Sequence, residues 1–178
     1  MHKNKLSIII VLILYLIICN RIYMINIKTN NVTIDKKVLI NKPIEQPIGK
    51  LIIEKININN NLYPINSKHN NIEENITILK DSITPDKENS IVFIAAHSGD
   101  GKIAYFNKLD KIKINDKIIL LYKNKKYIYT VINIWEKEKD GYIEVNKTKE
   151  NQLILTTCSP NKENMQLIIN SILKESIN

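Results

Sequence analysis

The sequence predicts a mostly β domain, a closed or nearly closed barrel of about eight short strands with one or two small helices, carried behind an apolar N-terminal segment. Three observations lead there. Apolar runs of four to eight residues recur from Gly49 to the C-terminus, rich in Ile, Val and Tyr and separated by polar turn residues. Helical periodicity is nearly absent over the same stretch. One domain of ordinary size plus a short appendage fits within 178 residues.

The elements follow in order. Leu6 to Cys19 is an almost unbroken apolar run, preceded by His2, Lys3 and Lys5 and extended weakly through Ile22–Ile25. With that extension it approaches the ~20 residues a bilayer requires. A signal peptide is the competing reading, but no small-residue cleavage site follows. The expectation is an uncleaved anchor over residues 1–25, single-pass, with the rest outside the cell membrane. Residues 26–47 are mostly polar, contain Pro43 and Pro47, and read as a linker. The domain then occupies 48–178. Leu51–Ile53 and Ile56–Ile58 read as strands, and Asn61–Ile65 as an extended edge segment interrupted by Pro64. Ile72–Leu79 suits a helical turn. Ile91–Ala96 is wholly apolar and suits a buried strand, and Ser98–Gly101 a loop. Tyr105–Leu109 has short-helix spacing. Lys117–Tyr122 and Lys126–Trp135 are strands around a hairpin signal at Lys123-Asn124-Lys125. Leu153–Thr157 and Leu167–Leu173 complete the set.

Composition narrows the function. The net charge is +8, yet the lysines are scattered and Arg21 is the only arginine. Without the residue best suited to bidentate phosphate or guanine contacts, nucleic acid is not expected as a partner. Anionic headgroups or envelope polymers suit the charge better. Cys19 lies in the apolar segment, so Cys158 is expected as a free thiol.

Cys158 follows a strand in Leu155-Thr156-Thr157-Cys158-Ser159-Pro160, and His97 closes the strand Ile91–Ala96. A thiol nucleophile needs an imidazole to take its proton and later to protonate a leaving amine. The two lie 61 positions apart, so only the fold can unite them. His2 precedes the anchor and His69 sits in a polar stretch, which leaves His97 as the partner. A buried structural cysteine and a loop-satisfied histidine are the plainer alternatives. Asp100 is a candidate to orient the imidazole. Glu136, Glu138, Asp140 and Glu144 carry the composition of a weak calcium site, but Lys137 and Lys139 interleave them, so no metal or cofactor is expected.

Ile154-Leu155-Thr156-Thr157-Cys158 resembles the Thr-Leu-x-Thr-Cys active-site strand of the sortases, with Ile154 in place of the first Thr. Ala96-His97 after an apolar strand is similar too, as is the opening Ile48-Gly49-Lys50-Leu51-Ile52-Ile53. The resemblance covers residues 48 to 174. It implies an eight-stranded sortase barrel with Cys158 as nucleophile and His97 as acid/base. The substrates it implies are secreted proteins with a C-terminal sorting signal, LPxTG-like and cleaved at a Thr–Gly bond. The thioacyl enzyme would be resolved by a peptidoglycan precursor or another envelope amine. Ala96, Thr157, Trp135 and Tyr142 fall where the resemblance expects peptide recognition. It also implies an Arg on the last strand, where position matching gives Gln166. A side-chain amide can donate to an oxyanion but lacks charge and fork. The alternative is therefore a catalytically weak or inactive barrel that binds peptides or envelope components.

Overall fold

The computed structural model describes residues 15–25, 45–146 and 148–178, in two compact units, Met1–Ile44 and Glu45–Asn178. In the first, residues 15–25 are helical and Cys19 is exposed. Among the described residues no helix is long and apolar enough to cross a membrane. The rest of the expected anchor and residues 26–44 of the expected linker lie outside the described residues.

The second unit is one eight-stranded sheet curled into a nearly closed barrel. Its strands are β1 (Gly49–Ile53), β2 (Ile58–Leu62), β3 (Thr77–Ile78), β4 (Ile91–Ala95), β5 (Lys117–Tyr122), β6 (Lys125–Glu138), β7 (Gln152–Cys158) and β8 (Met165–Ile177). They lie in the order β2-β1-β5-β6-β8-β7-β4-β3. All pairs are antiparallel except β4 with β7. β6 and β8 are the longest strands, and their shared ladder shifts register at Ile128/Tyr129 and Val131/Asn133. Such irregularities bend and twist a sheet locally, which helps it curl.

Two departures from the sequence reading have local causes. Ile56–Ile58 is not a strand: Glu54–Ile56 forms a 3₁₀ turn, and Asn57 in the left-handed region (φ 58°) redirects the chain into β2. The helix expected at Tyr105–Leu109 is replaced by successive tight turns and a 3₁₀ turn over Leu109–Lys111. Phe106 and Leu109 are nonetheless fully buried, so the apolar spacing served the core rather than a helix. Within Ile72–Leu79, a helical turn closes from Asn75 N–H to Asn71 O before β3 begins.

The hairpin at Lys123-Asn124 has both residues at positive φ, 46° and 64°, the backbone of a two-residue type I′ turn. Gly49 is required for a different reason. A Cβ there would lie 2.1 Å from the Leu121 carbonyl oxygen on β5.

Alternate residues fill the barrel: Leu51, Ile53, Ile118, Leu120, Tyr129, Val131, Leu153, Leu155 and Ile169 all belong to one core. A smaller cluster sits on the outer face, where Ile91, Ile154 and Ile168 are covered by Phe93, Trp135, Ile143 and Val145. The β6–β7 connection thus lies across the outer face. With both faces covered, β7 is buried from Gln152 to Thr157 and reads as continuous rather than alternating.

Gly49→Ala is expected to destabilise the domain by about 1–3 kcal/mol, because backbone rather than a side chain obstructs the new methyl. Thermal unfolding of the two proteins checks this. A second expectation concerns pH. Burial pushes the Asp116 carboxyl up, but the Lys55 ammonium at 2.6 Å and the Lys113 N–H more than offset it, leaving it below the ordinary 3.8. A lowered folded-state value gives stability that is present above 3.8 and lost as pH falls through the folded value. Lys55 is largely exposed, so Lys55→Gln should cost under about 1 kcal/mol at neutral pH. The difference from the parent should vanish toward about pH 2 in denaturant titrations.

Candidate active site

The parallel ladder between β4 and β7 pairs Ile91 with Gln152 and so on to Ala95 with Thr156, each partner 61 positions further along. Beyond the last pair the chains stay joined. Ala96 N–H donates to Thr156 O at 3.4 Å, and Thr157 Oγ1 donates to Ala96 O at 2.7 Å. The same offset sets His97 opposite Cys158. On the other side of β7, the antiparallel ladder pairs Cys158 directly with Gln166. Side chains alternate along strands, so His97, Cys158 and Gln166 share the outer face at one end of three neighbouring strands.

Their backbones are fixed from several directions. Ser98 Oγ donates to Cys158 O at 2.8 Å, which ties the loop after His97 to the end of β7. Phe106 N–H donates to His97 O at 2.9 Å, and Ser159 N–H to Met165 O at 2.9 Å across the β7–β8 turn. The thiol itself is free and exposed. The imidazole is about one-third exposed, and its Nε2 stands 3.4 Å from Glu73 Oε1. Glu73, not the exposed Asp100, is therefore the carboxylate beside the histidine. A thiol, an imidazole and a carboxamide along one edge can form and resolve a thioester: nucleophile, proton carrier and hydrogen-bond donor.

A cavity of about 370 Å³ adjoins this edge. Leu79, Phe93, Tyr142 and Ile143 give it apolar walls, and Thr156 and Gln166 bring it to the residues beside Cys158. The Thr156 hydroxyl is buried there with no hydrogen-bonding partner among the described residues.

The residues expected to recognise peptide separate into two groups. Ala96 and Thr157 are buried and bonded to one another, so they hold the strand ends in register rather than line a groove. Tyr142 is exposed (74%) and lines the cavity, whereas Trp135 packs in the outer-face cluster. Among the acidic residues weighed for calcium, Glu136 is paired with Lys162 at 2.8 Å and Asp140 with Lys137 at 2.9 Å. Hydrogen bonds from Lys162 and Ser159 hold the Glu136 carboxyl below its usual range. Glu73, Ser98 and Thr156 escaped the sequence reading. Ser98 follows His97 directly, but nothing in the sequence shows that its hydroxyl caps Cys158.

The Sortase domain family model matches residues 51–173. No curated protein matches the chain. Among solved structures it is similar to a lid mutant of sortase A from Corynebacterium diphtheriae (TM-score 0.65, 20% identity, 75% of this chain and 73% of that one). It is similar also to Streptococcus pneumoniae sortase C (0.65, 24% identity, 74% and 71%). Listeria monocytogenes sortase A matches at 0.61 with 19% identity over 73% and 88%. At these identities the likeness establishes the fold. The family match over most of the domain, together with the β barrel, establishes the membership: this chain belongs to the sortase family of cysteine transpeptidases.

Proposed function

We propose that this transpeptidase is membrane-anchored and cleaves an LPxTG-like sorting signal at its Thr–Gly bond, transferring the secreted protein to an amine of the cell envelope. The observation that carries the reading is the alignment of His97, Cys158 and Gln166 across β4, β7 and β8.

In this reading the Cys158 thiolate attacks the Thr carbonyl. A C–S bond forms and the carbonyl π pair moves onto oxygen, toward the Gln166 amide. Collapse of the oxyanion expels the Gly nitrogen, which takes its proton from the His97 imidazolium. An acceptor amine, losing its proton to His97, then attacks the thioester carbon and releases the thiolate. The cavity lined by Phe93, Tyr142 and Thr156 receives the part of the signal preceding the scissile bond, and the Thr156 hydroxyl bonds to its backbone. The run Leu6–Ile25 anchors the chain, with the catalytic domain on the outer side of the membrane. The acceptor is a peptidoglycan precursor or another envelope amine.

A second reading is favoured by one observation. Gln166 Nε2 donates to Tyr142 O at 3.3 Å, so the amide standing in for a cation is already engaged. A barrel of that kind binds sorting peptides without turnover. Labelling by a thiol-reactive sorting-signal mimic, lost in His97→Ala, would exclude it.

Cys158→Ala is expected to abolish the thioacyl adduct with sorting-signal peptides, read by intact-protein mass spectrometry; an undiminished adduct sinks the proposal. His97→Ala should slow transpeptidation about 10²–10⁴-fold. Gln166→Ala should slow acylation about tenfold or more while peptide affinity stays nearly constant, the signature of a transition-state contact. Gln166→Arg should raise the rate. An unchanged acylation rate in Gln166→Ala would assign that side chain to the sheet alone.

A further inference from the structure

The row that contains Cys158 and Gln166 extends one strand further. Gln166 pairs with Cys158 on one side and with Lys137 of β6 on the other. Paired residues project from the same face, so thiol, amide and ammonium stand side by side on the outer face. Lys137 Nζ donates to the Tyr142 carbonyl at 2.9 Å, and Gln166 Nε2 donates to that same oxygen at 3.3 Å. One carbonyl oxygen thus gathers the cation and the amide. Asp140 completes the arrangement: its Oδ2 pairs with Lys137 Nζ at 2.9 Å, and its Oδ1 accepts from Tyr142 N–H at 3.0 Å. The Lys137 side chain is only 22% exposed. Lys162, in the neighbouring β7–β8 turn, is committed to Glu136.

We propose that Lys137 is an electrostatic positioning residue for acylation, its charge supporting the Gln166 amide at the site where an oxyanion forms on attack by Cys158. This rests on reading Cys158 as an acyl-forming nucleophile. A primary amide has two N–H groups. With one held by Tyr142 O, the second is free for the oxyanion. The ammonium bound to the same carbonyl favours negative charge across β8 toward Cys158, and the partial burial of Lys137 weakens solvent screening. Asp140 holds Lys137 in place and damps its field. The Asp140 carboxyl accordingly lies below its usual range, chiefly because of the Lys137 hydrogen bond. Charge and support therefore make opposite demands on the pair, and that opposition separates an electrostatic role from a structural one.

The experiment compares two reactions of the Cys158 thiol in the full-length chain carrying Cys19→Ser, which removes the other free thiol. Acylation by p-nitrophenyl acetate passes through an oxyanion: the C–S bond forms, the carbonyl pair moves to oxygen, and p-nitrophenolate leaves. Alkylation by iodoacetamide expels iodide and forms no oxyanion. Lys137→Gln should slow the p-nitrophenolate burst about tenfold and leave alkylation within about twofold. Lys137→Arg should recover most of the loss. Asp140→Asn keeps the acceptor for Tyr142 N–H and removes only charge, so it should speed acylation about two- to threefold, less so at high salt. The proposal is overturned if Lys137→Gln leaves acylation unchanged, if both reactions fall together, or if Asp140→Asn slows acylation as Lys137→Gln does. A burst that persists in Cys158→Ala would sink the parent reading instead.

Discussion

The parallel pairing of β4 with β7 is the contact on which the site depends. Every residue of β4 lies against the residue 61 positions later, and the ladder is continued past the end of β4 by the Ala96–Thr156 and Thr157–Ala96 hydrogen bonds. A slip of one residue would put His97 and Cys158 on opposite faces, because strand side chains alternate with a period of two. Burial on both faces prevents such a slip. Leu153 and Leu155 fill the barrel while Ile154 packs outside against Ile168, so no other register satisfies both sides. The alignment of His97 with Cys158 is thus enforced by core packing.

β8 provides the second constraint. It pairs with β7 on one edge and β6 on the other, which sets Gln166 between Cys158 and Lys137. The start of β8 leaves a tight turn at Asn164 (φ 57°), and the Asn164 carbonyl accepts from Lys139 N–H at 2.9 Å. The β6–β7 connection is therefore tied to the Cys158 end of the sheet by the Asn164 contact and by the shared grip of Lys137 and Gln166 on Tyr142. Its Ile143 and Val145 pack on the outer cluster. A connection rich in charge is held by specific bonds, and the cavity beside the thiol takes its shape from it.

Much of the fold was legible in the residues. The strands from β4 onward were readable within a residue or two at most ends, since their apolar runs are bounded by polar turns. The early region was harder, and composition explains why. The chain has only four glycines, and asparagine takes over their work: among the described residues, five of the six non-glycine residues at positive φ are Asn57, Asn89, Asn115, Asn124 and Asn164. Asparagine is abundant everywhere in this sequence, so the few in left-handed turns are indistinguishable from the rest. On sequence alone Asn57 accordingly reads as strand interior. Likewise the Tyr105–Leu109 spacing reads as a short helix, whereas the chain buries Phe106 and Leu109 through successive turns.

By itself the sequence determined the barrel class, the free thiol at a strand end, the histidine after a buried strand, and the family they resemble. Each rests on local pattern, and local pattern survives in a single chain read in order. The tertiary structure alone decided which carboxylate faces His97, that Ser98 caps Cys158, that the Thr156 hydroxyl lies in a cavity with no hydrogen-bonding partner among the described residues, and that Lys137 stands in one row with Gln166 and Cys158. These are relations between strands distant in sequence. Their register is set by the fit of two packed faces, and no window of sequence contains both partners.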